Sequence, residues 1–364
     1  MPIFHFFRLR KMAPNFLVLH LFSAMLPLMM ALAGLSLNSD SHAAALVQVG
    51  ISNSSSDVAF FIADKKGYFK QEGLNVTFTA FDSAAKMIAP LAVGQLDVGA
   101  GSTSAGLYNA DARGINIKIV ADKGSTPPGY GFQPLLIRKD LVDSGKFKGL
   151  QDLKGLKIAG SAPGSASSST LNEALKKGGL KYEDVERVFM GFPQHVLALQ
   201  NRAIDASITT EPSATQAVKS GAAVRFVGDD VIYPNHQLAV VLYSGDFIKK
   251  QPEAARKFMR AYIKAVRDYN DALKDGKLAG PNAQEVISIL TAYTNIKDPN
   301  LYKSITPHGS NPNGKVSEDS LKKDYEFFKE QGLIKGDIGV RQVVDNSFVD
   351  AVIKELGPYK PKTK

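Results

Sequence analysis

The sequence predicts an α/β protein of two lobes, each a mostly parallel sheet flanked by helices, with two crossover connections between the lobes. Three observations lead to this fold class. The 364 residues are 44% hydrophobic and 22% charged, which is enough chain for two hydrophobic cores. From residue 45 onward, short apolar segments alternate with segments of helical periodicity. The same alternation restarts after an irregular Gly- and Pro-rich stretch at residues 124–131.

The first half contains four strand-like segments separated by three helical ones. We predict strands at residues 46–51, 74–81, 96–100 and 115–121, and helices at 58–66, 83–93 and 104–112. Strands joined by helices of this length require crossover connections, which are right-handed in nearly all proteins. The first sheet is therefore expected to be mostly parallel.

The second half repeats this order of segments. We predict strands at residues 156–159, 185–190, 204–208 and 224–227, and helices at 166–177, 194–201 and 213–219. Residues 91–98 and 199–206 also resemble each other, because each reads as a helix end, a tight turn, and Leu or Ile followed by Asp. Together with the matched order, this similarity predicts two lobes of one architecture.

Two further strand-like runs, 135–139 and 238–243, bracket the second half, and we interpret them as the paired connections between the lobes. Beyond them we predict helices at 252–269, 283–290 and 318–329, and a surface loop at 306–314. The predicted division is residues 1–45 as a signal peptide, 46–125 plus 242–364 as the first lobe, and 126–241 as the second lobe.

The N-terminus has the order of a secretory signal. Basic residues at positions 8–11 precede an apolar stretch at 16–37, and small residues follow at 43–45. We expect export, with cleavage near Ala43 to Ala45. The alternative is an uncleaved membrane anchor, because the apolar stretch is long enough to span a bilayer. Pro27 and His20 interrupt that stretch and favour the cleaved signal.

The composition argues against several other functions. The net charge of +9 is spread over the chain without a run of five like charges, so we expect no nucleic acid partner. The absence of cysteine excludes lipoprotein anchoring, disulfides and thiolate chemistry. Beyond the leader, only His195, His236 and His308 remain, and their wide spacing predicts no metal site. We expect no cofactor.

Hydroxyl residues cluster directly after the predicted strands, where ligands bind in open α/β sheets. They would let a small anionic or polar group approach the free N–H groups of the following helices. The alternative is that each serves only as a helix cap. The candidate ligand-binding residues of these segments are Ser54, Ser55, Ser56, Ser83, Ser102, Thr103 and Ser104 in the first lobe, and Ser161, Gly164, Ser165, Ala166 and Ser167 in the second.

Four segments resemble one family of solute-binding proteins. Residues 63–76 contain KGYF and EGL followed by Val76, and the other three segments are 91–99, 150–159 and 210–212, in the family's order. The chain is similar to the nitrate, sulfonate, taurine and thiamine-pyrimidine-precursor binding proteins over residues 46–265. The resemblance implies a two-lobed periplasmic binding protein of type II, monomeric, that closes around a small organic solute and docks on an ABC permease.

The resemblance also implies further contacts from the second lobe. By matching position, Gln194, Glu211, Asn235 and His236 would line the cleft beside the serines. Independently of the resemblance, Tyr130, Phe132, Phe192 and Tyr233 are candidates for an apolar or stacking wall, and the alternative for each of them is packing in the core. A carboxylate at Glu211 suits a solute with an amino or ring N–H group. The alternative is a helix-start acid before Pro212 that stabilises the helix dipole. We therefore expect either an anionic carboxylate or sulfonate, or a heteroaromatic compound, as the solute.

The sequence contains one short match to a catalytic motif. Ser83 and Lys86 match an S-x-x-K motif, but the partner motifs are missing and we interpret the match as coincidence. Eukaryotic pyrimidine-forming enzymes that share this fold carry a cysteine-rich active-site motif, and this chain has no cysteine. We expect no enzymatic activity. The alternatives are a secreted enzyme on the same fold and a membrane-anchored ligand sensor.

Overall fold

The computed structural model describes residues 44–362, and ten strands of this part form two five-stranded sheets. The strands are β1 (Ala45–Ile51), β2 (Leu74–Ala80), β3 (Val98–Gly101), β4 (Ile117–Gly124), β5 (Leu135–Arg138), β6 (Lys157–Gly160), β7 (Glu186–Phe189), β8 (Ala206–Ile208), β9 (Ala223–Val227) and β10 (Ala239–Ser244). The strand order is β2-β1-β3-β10-β4 in the first sheet and β7-β6-β8-β5-β9 in the second. A small hairpin of β11 (Leu273–Lys274) and β12 (Lys277–Leu278) stands apart.

Helices flank both sheets, as the alternating pattern predicts. They are α1 (Val58–Lys65), α2 (Tyr68–Gln71), α3 (Ile88–Ala92), α4 (Ala105–Asp111), α5 (Lys139–Asp143), α6 (Ala166–Lys177), α7 (Phe192–Gln200), α8 (Ser213–Lys219), α9 (Asp229–Ile232), α10 (Gly245–Lys250), α11 (Pro252–Asn270), α12 (Ala283–Tyr293), α13 (Pro299–Ser304), α14 (Glu318–Glu330), α15 (Val340–Val343) and α16 (Ser347–Leu356). The α/β class and the two-lobed arrangement are thus confirmed. The first lobe is the part built on the sheet with β1, and the second is the part built on the sheet with β6.

Each sheet contains one antiparallel strand, and these two strands correct our interpretation of the connections. β5 pairs antiparallel with β8 and β9, and β10 pairs antiparallel with β3 and β4. The apolar residues of β5 and β10 are almost completely buried. A strand inside a sheet is covered on both faces, whereas a connection at the surface would leave these residues exposed. The chain instead passes between the sheets at residues 125–134 and 228–238. The predicted lobe boundary after residue 241 falls inside β10.

The two similar segments at 91–98 and 199–206 have the same role in both lobes. Each contains a residue with positive φ, Gly94 at 71° and Arg202 at 62°. Asp97 accepts a hydrogen bond from the N–H of Gln48 at 2.8 Å, and Asp205 accepts one from the N–H of Lys157 at 2.9 Å. In both lobes an aspartate therefore holds a residue of a central strand, β1 in one lobe and β6 in the other.

The C-terminal helices complete the core of the first lobe. The long helix α11 buries Phe258, Tyr262 and Val266, spaced four residues apart on one face. This face packs against α1, where the rings of Phe60 and Tyr262 have centroids 4.9 Å apart. No helix within residues 44–362 is long and apolar enough to cross a membrane. The predicted signal peptide lies outside the described residues.

The predicted surface loop at 306–314 is wrong in its middle part, because His308 is only 1% exposed. Gly309 pairs with Ser125 through two backbone hydrogen bonds of 2.9 Å. The N–H of Asn311 donates to the buried carboxylate of Asp122 at 2.6 Å. A buried carboxylate needs donors, and this loop supplies them. The polar composition of the loop does not show that a buried carboxylate distant in sequence needs its N–H groups.

Candidate ligand-binding cleft

A narrow cleft lies between the lobes, at one edge of both sheets. Most of the lining residues lie at or directly after the carboxyl end of a parallel strand. The others come directly before β5 or β10, the antiparallel strands, whose amino ends lie at the same edge. The space between these residues, counted together with its open side, is about 320 Å³, and only about 10 Å³ of it admits the centre of a water molecule. It is lined by Ser52, Ser54, Ser56, Ser83, Ala84, Gly101, Ser102, Lys123, Leu238 and Ala239 from the first lobe, and by Phe132, Gln133, Ser161, Phe192 and Thr210 from the second.

Five of the serines singled out in the sequence line this cleft. They are Ser54, Ser56, Ser83, Ser102 and Ser161, and they follow β1, β2, β3 and β6. Ser54 also caps the short turn before α1, because its Oγ accepts from the N–H of Ser56 at 3.4 Å. Capping and ligand contact are therefore compatible roles for this serine.

A buried ion pair borders the cleft on the first lobe. Lys123 Nζ lies 2.8 Å from Asp57 Oδ1 and donates to Ser56 Oγ at 2.7 Å, and both charged side chains are 0% exposed. Asp57 Oδ2 accepts from the N–H of Ser54 at 2.9 Å. An ammonium group has three N–H donors, and the oxygens within reach of Lys123 Nζ are Ser56 Oγ and Asp57 Oδ1. The cleft is thus donor-rich, although the lysine charge is already balanced.

Two side chains of the second lobe are buried in the cleft without hydrogen-bond partners. Gln133 is 1% exposed, and neither its Oε1 nor its Nε2 has a partner. Thr210 is 2% exposed, and its Oγ1 also lacks one. The N–H of Gln133 donates to Asp229 Oδ1 at 3.2 Å, which fixes this residue at the start of β5. Buried polar groups without partners are rare and costly, and these three atoms belong to side chains that line the cleft.

Phe132 and Phe192 supply the apolar part of the lining. They are two of the four aromatic residues considered in the sequence. Tyr233 instead stacks on His236 with ring centroids 4.0 Å apart. Tyr130 is half-buried in the connection at 125–134 and does not line the cleft.

The remaining predicted residues at the strand ends form a direct contact between the lobes. The N–H of Ala105 donates to the carbonyl of Gly164 at 2.8 Å, and the N–H of Ala166 donates to the carbonyl of Thr103 at 3.2 Å. Ser104 and Ser165 pair at the same place as an isolated β-bridge. The first N–H group of α4 and the first N–H group of α6 are therefore each bonded to a carbonyl of the opposite lobe.

A further backbone hydrogen bond, from the N–H of Ser55 to the carbonyl of Glu211 at 2.7 Å, joins the lobes beside the cleft. In the second lobe, Ser161, Ser165 and Ser167 share hydrogen bonds through their hydroxyl groups, with O–O distances of 2.9 to 3.4 Å. This serine cluster orders the loop before α6. Only Ser161 from the cluster reaches the cleft lining.

The carboxylate of Glu211 is fully engaged within the protein. Arg225 Nη2 donates to its Oε1, the N–H of Thr306 donates to Oε1 at 3.3 Å, and the N–H of Thr215 donates to Oε2 at 2.9 Å. Thr215 lies in the first turn of α8, so this contact is the one expected of an acidic residue that stabilises the start of a helix. Glu211 does not line the cleft, and its neighbour Thr210 does.

Gln194, Asn235 and His236 also lie away from the cleft lining. Gln194 and Asn235 are exposed. His236 is buried, where its Nε2 lies 2.9 Å from Asp324 Oδ2 and its Nδ1 lies 3.3 Å from Thr170 Oγ1. These positions were inferred from similarity to the family, and matching position does not fix the direction of a side chain.

The S-x-x-K pair does not form a catalytic unit. The ammonium group of Lys86 is paired with Asp82 and is largely exposed, while Ser83 lies in the cleft. Among residues 44–362, no group of three His, Cys, Asp or Glu side chains is arranged to hold a metal ion.

Lys123, Thr210 and Gln133 are among the cleft residues missed in the sequence, and the first two had a readable signal. Lys123 is a charged residue at the end of the apolar strand β4, so the rule that ligands bind at strand ends also applies to it. Thr210 follows β8 but was overlooked in favour of Glu211. Gln133 precedes an antiparallel strand, so a search limited to residues after parallel strands cannot find it.

A two-lobed α/β protein with a polar cleft at the strand ends is the architecture of the periplasmic solute-binding proteins. The NMT1/THI5 like family model matches residues 55–273, and the chain belongs to this family. Among curated relatives, 4-amino-5-hydroxymethyl-2-methylpyrimidine phosphate synthase THI11 of Saccharomyces cerevisiae is 30% identical over 224 residues. That match covers 58% of this chain and 62% of the yeast protein.

Two solved structures show the same fold at low sequence identity. The periplasmic nitrate-binding protein NrtA of Synechocystis PCC 6803 superimposes with a TM-score of 0.72 at 14% identity, covering 86% of this chain and 89% of that one. The zinc-bound ligand binding component of an ABC-type import system from Staphylococcus aureus has a TM-score of 0.70 at 14% identity, covering 85% and 99%. These similarities define the fold, whereas the solute has to be inferred from the cleft.

Proposed function

We propose that this chain is the extracytoplasmic solute-binding component of an ABC importer, and that it captures a small organic molecule in the cleft between its lobes. The observation that carries the proposal is the pair of buried, unpartnered side chains Gln133 and Thr210, which face the donor-rich border around Lys123. A site of this kind gains free energy when a solute supplies the missing hydrogen bonds.

Capture requires the solute to contact both lobes. Lys123 and all the cleft serines except Ser161 belong to the first lobe, and Gln133, Thr210 and Ser161 belong to the second. A solute that bridges these groups binds the closed arrangement more tightly than an open one, and this difference in affinity drives closure. The backbone hydrogen bonds at Gly164, Thr103 and Glu211 then hold the lobes together.

The lining favours a solute with hydrogen-bond acceptors. Hydroxyl groups, the Lys123 ammonium and the Gln133 amide are donors, while two carboxylates beside them, Asp57 and Asp229, contact Lys123 and the N–H of Gln133. A carboxylate or sulfonate group suits these donors, and a heteroaromatic ring with an N–H beside an acceptor suits the amide of Gln133. Phe132 and Phe192 would cover the apolar part of either solute.

The remaining parts of the proposal follow from this role. The chain is exported and its signal peptide is cleaved near Ala43 to Ala45, so the mature protein works in the periplasm. Its partner is an inner-membrane ABC permease, and one molecule with two lobes suffices for capture, so we propose a monomer. The first lobe comprises residues 46–125 and the chain from β10 onward, so its second segment begins at residue 239 and not at the predicted 242.

An enzymatic function is the second candidate, and the 30% identity to yeast proteins named as synthases favours it. Two features of this chain argue for binding. It has no cysteine, so the cysteine-rich motif of the eukaryotic enzymes has no counterpart. In addition, no histidine belongs to the cleft lining among residues 44–362, and Lys86 is paired away from Ser83.

A thermal-shift screen with the mature chain tests the proposal. The panel contains sodium n-alkanesulfonates and n-alkanoates, benzoate, benzenesulfonate and aminopyrimidines. A solute at 100 times its dissociation constant should stabilise the fold by about 2.7 kcal/mol. Gln133→Leu should remove the shift, and Gln71→Leu, an exposed glutamine on α2, should keep it. Recovery of a converted product after incubation would contradict the binding role and support an enzyme.

A further inference from the structure

A buried carboxylate lies where the second connection between the lobes begins. The chain passes between the sheets at residues 125–134 and 228–238, and Asp229 is the first residue of the short helix α9 in the second connection. Its side chain is 0% exposed. Asp229 contacts the backbone of Gln133, whose side chain lines the cleft, whereas Asp229 itself does not line it.

Asp229 has fewer hydrogen bonds than a buried charge requires. Its Oδ1 accepts one from the N–H of Gln133 at 3.2 Å, and its Oδ2 has no partner within residues 44–362. Asp122 is also buried, but one of its oxygens accepts from Gln237 Nε2 and the other from the N–H of Asn311, both at 2.6 Å. A buried carboxylate without such donors is costly. The protein therefore accommodates Asp229 far better in its neutral, protonated form.

The basic groups near Asp229 do not supply the missing counter-charge, because each has an acidic partner of its own. His236 Nε2 lies 2.9 Å from Asp324 Oδ2, and both side chains are 0% exposed. Arg225 Nη2 donates to Glu211 Oε1. The charges of His236 and Arg225 act on Asp229 only through space, and they do not outweigh the effect of burial.

Burial raises the pKa of Asp229 to about 7, and the negative charge of Asp230 acts in the same direction. Asp230 Oδ2 accepts from the N–H of Gly129 at 2.9 Å, so it also links the two connections. On α6, which packs against α9, Glu173 pairs with Lys176 at 3.1 Å. Geometry and surrounding charges thus both favour a proton on Asp229 in this structure.

We propose that Asp229 is a proton switch for closure: the lobes close readily when its carboxyl carries a proton and less readily when it is charged. This inference rests on the proposed function and adds a regulation of its cleft. The cleft beside Gln133 has almost no room for water in this structure. An open cleft fills with water, which reaches Gln133 and the carboxylate behind it.

The direction of the pH dependence follows from this difference in hydration. Hydration stabilises the charged form of an acid, so the pKa of Asp229 is lower in the open arrangement than in the closed one. Closure therefore takes up a proton. The advantage of the closed arrangement is complete at acidic pH and is lost as the pH rises through about 7.

A pair of spin labels measures the switch without any solute. The natural chain has no cysteine, and Val93→Cys together with Val218→Cys places one label on each lobe at an exposed side chain. Electron paramagnetic resonance should show a ratio of closed to open molecules at least tenfold higher at pH 5 than at pH 8. Asp229→Asn has a neutral side chain of the same size and should give the high ratio at both pH values.

Asp230→Asn is the matched control, because Asp230 makes the same kind of contact between the connections but is partly exposed. It should keep the pH dependence, with a midpoint at slightly lower pH because a negative neighbour is removed. Calorimetry with benzenesulfonate, which stays ionised throughout this range, should show a dissociation constant at least tenfold higher at pH 8 than at pH 5. The change should be less than twofold in Asp229→Asn.

The outcomes separate this inference from the proposed function. A label ratio independent of pH in the wild type, with solute binding intact, would overturn the switch and leave the solute-binding role standing. A pH dependence that persists in Asp229→Asn and disappears in His236→Gln would assign the switch to His236 and overturn the role of Asp229. A ratio that depends on pH only through Asp229, in a protein that binds no solute of the screen, would support the switch and contradict the proposed function.

Discussion

Lys123 and Asp57 form an ion pair with a distance of 2.8 Å, and neither side chain is exposed to solvent. The pair joins the end of β4 to the start of α1 at the border of the cleft. Burying two charges is costly, and only their mutual contact and additional hydrogen bonds compensate for it. Ser56 and the N–H of Ser54 supply those bonds.

Removal of Lys123 alone should destabilise the protein strongly. Lys123→Met leaves Asp57 buried without its cation, and we expect the free energy of unfolding to fall by about 3–5 kcal/mol. The double variant Lys123→Met with Asp57→Asn removes both charges and should recover at least half of this loss. Urea denaturation of the wild type and of the three variants measures the coupling. Equal losses in the double variant and in Lys123→Met would contradict a net contribution from the pair.

Gln133 should behave in the opposite way. Its amide is buried without partners, so Gln133→Leu removes a desolvation cost and should stabilise the ligand-free protein by about 1–3 kcal/mol. The same variant should weaken solute binding at least tenfold, because the second lobe loses its amide contact. Denaturation and calorimetry on one sample measure both effects. Lower stability combined with unchanged affinity would indicate a purely structural glutamine.

Glu211 should matter for stability more than for binding. Glu211→Ala removes the partner of Arg225 and of two backbone N–H groups, and we expect a loss of about 3–5 kcal/mol. The folded variant should keep the solute dissociation constant within threefold of the wild type. A loss of affinity of tenfold or more at full folding would show that the carboxylate contacts the solute.

Gly164 should control closure through its contact with the first lobe. A Cβ at Gly164 would lie 2.8 Å from Leu333 and 3.1 Å from Ala105, and its φ is 55°. Gly155 is the matched control, since its φ of 74° imposes similar strain but its Cβ would meet no atom within 4 Å. Both alanine variants should lose about 1–2 kcal/mol of stability from the backbone. Only Gly164→Ala should also weaken solute binding, as calorimetry would detect.

His195 should make stability dependent on pH. Burial lowers its pKa to about 4, and its two ring nitrogens contact Thr209 and Met190. The unfolded chain, with a pKa near 6.5, binds the proton more readily. This contribution to stability is therefore present above pH 6.5 and is lost as the pH falls toward 4. Between pH 7.5 and 5 the wild type should lose about 2 kcal/mol more than His195→Gln. Parallel pH curves for the two proteins would contradict the lowered pKa.

Local pattern was sufficient to predict the lobes and one side of the site. Ser54, Ser83, Ser102 and Ser161 follow parallel strands, and the carboxyl ends of such strands meet at one edge whatever the tertiary details. The helices at 166–177 and 213–219 were likewise placed at their observed bounds because periodicity and end residues agree there.

The remaining site residues depend on contacts distant in sequence. Glu211 pairs with Arg225, which lies 14 residues later on β9, and this distant partner decides the direction of the carboxylate. The role of Lys123 depends on Asp57, which precedes it by 66 residues. Gln133 was missed, and β5 and β10 were interpreted as connections, because an antiparallel strand inserted into a parallel sheet reverses which end of the strand faces the cleft. No local pattern encodes that reversal.

The most direct test is a crystal structure of the mature chain with the tightest-binding solute of the panel. We predict that the polar group of the solute lies between Lys123 Nζ and the amide of Gln133, within hydrogen-bond distance of both lobes. A solute bound elsewhere, or bound to one lobe without contact to either residue, would contradict the account.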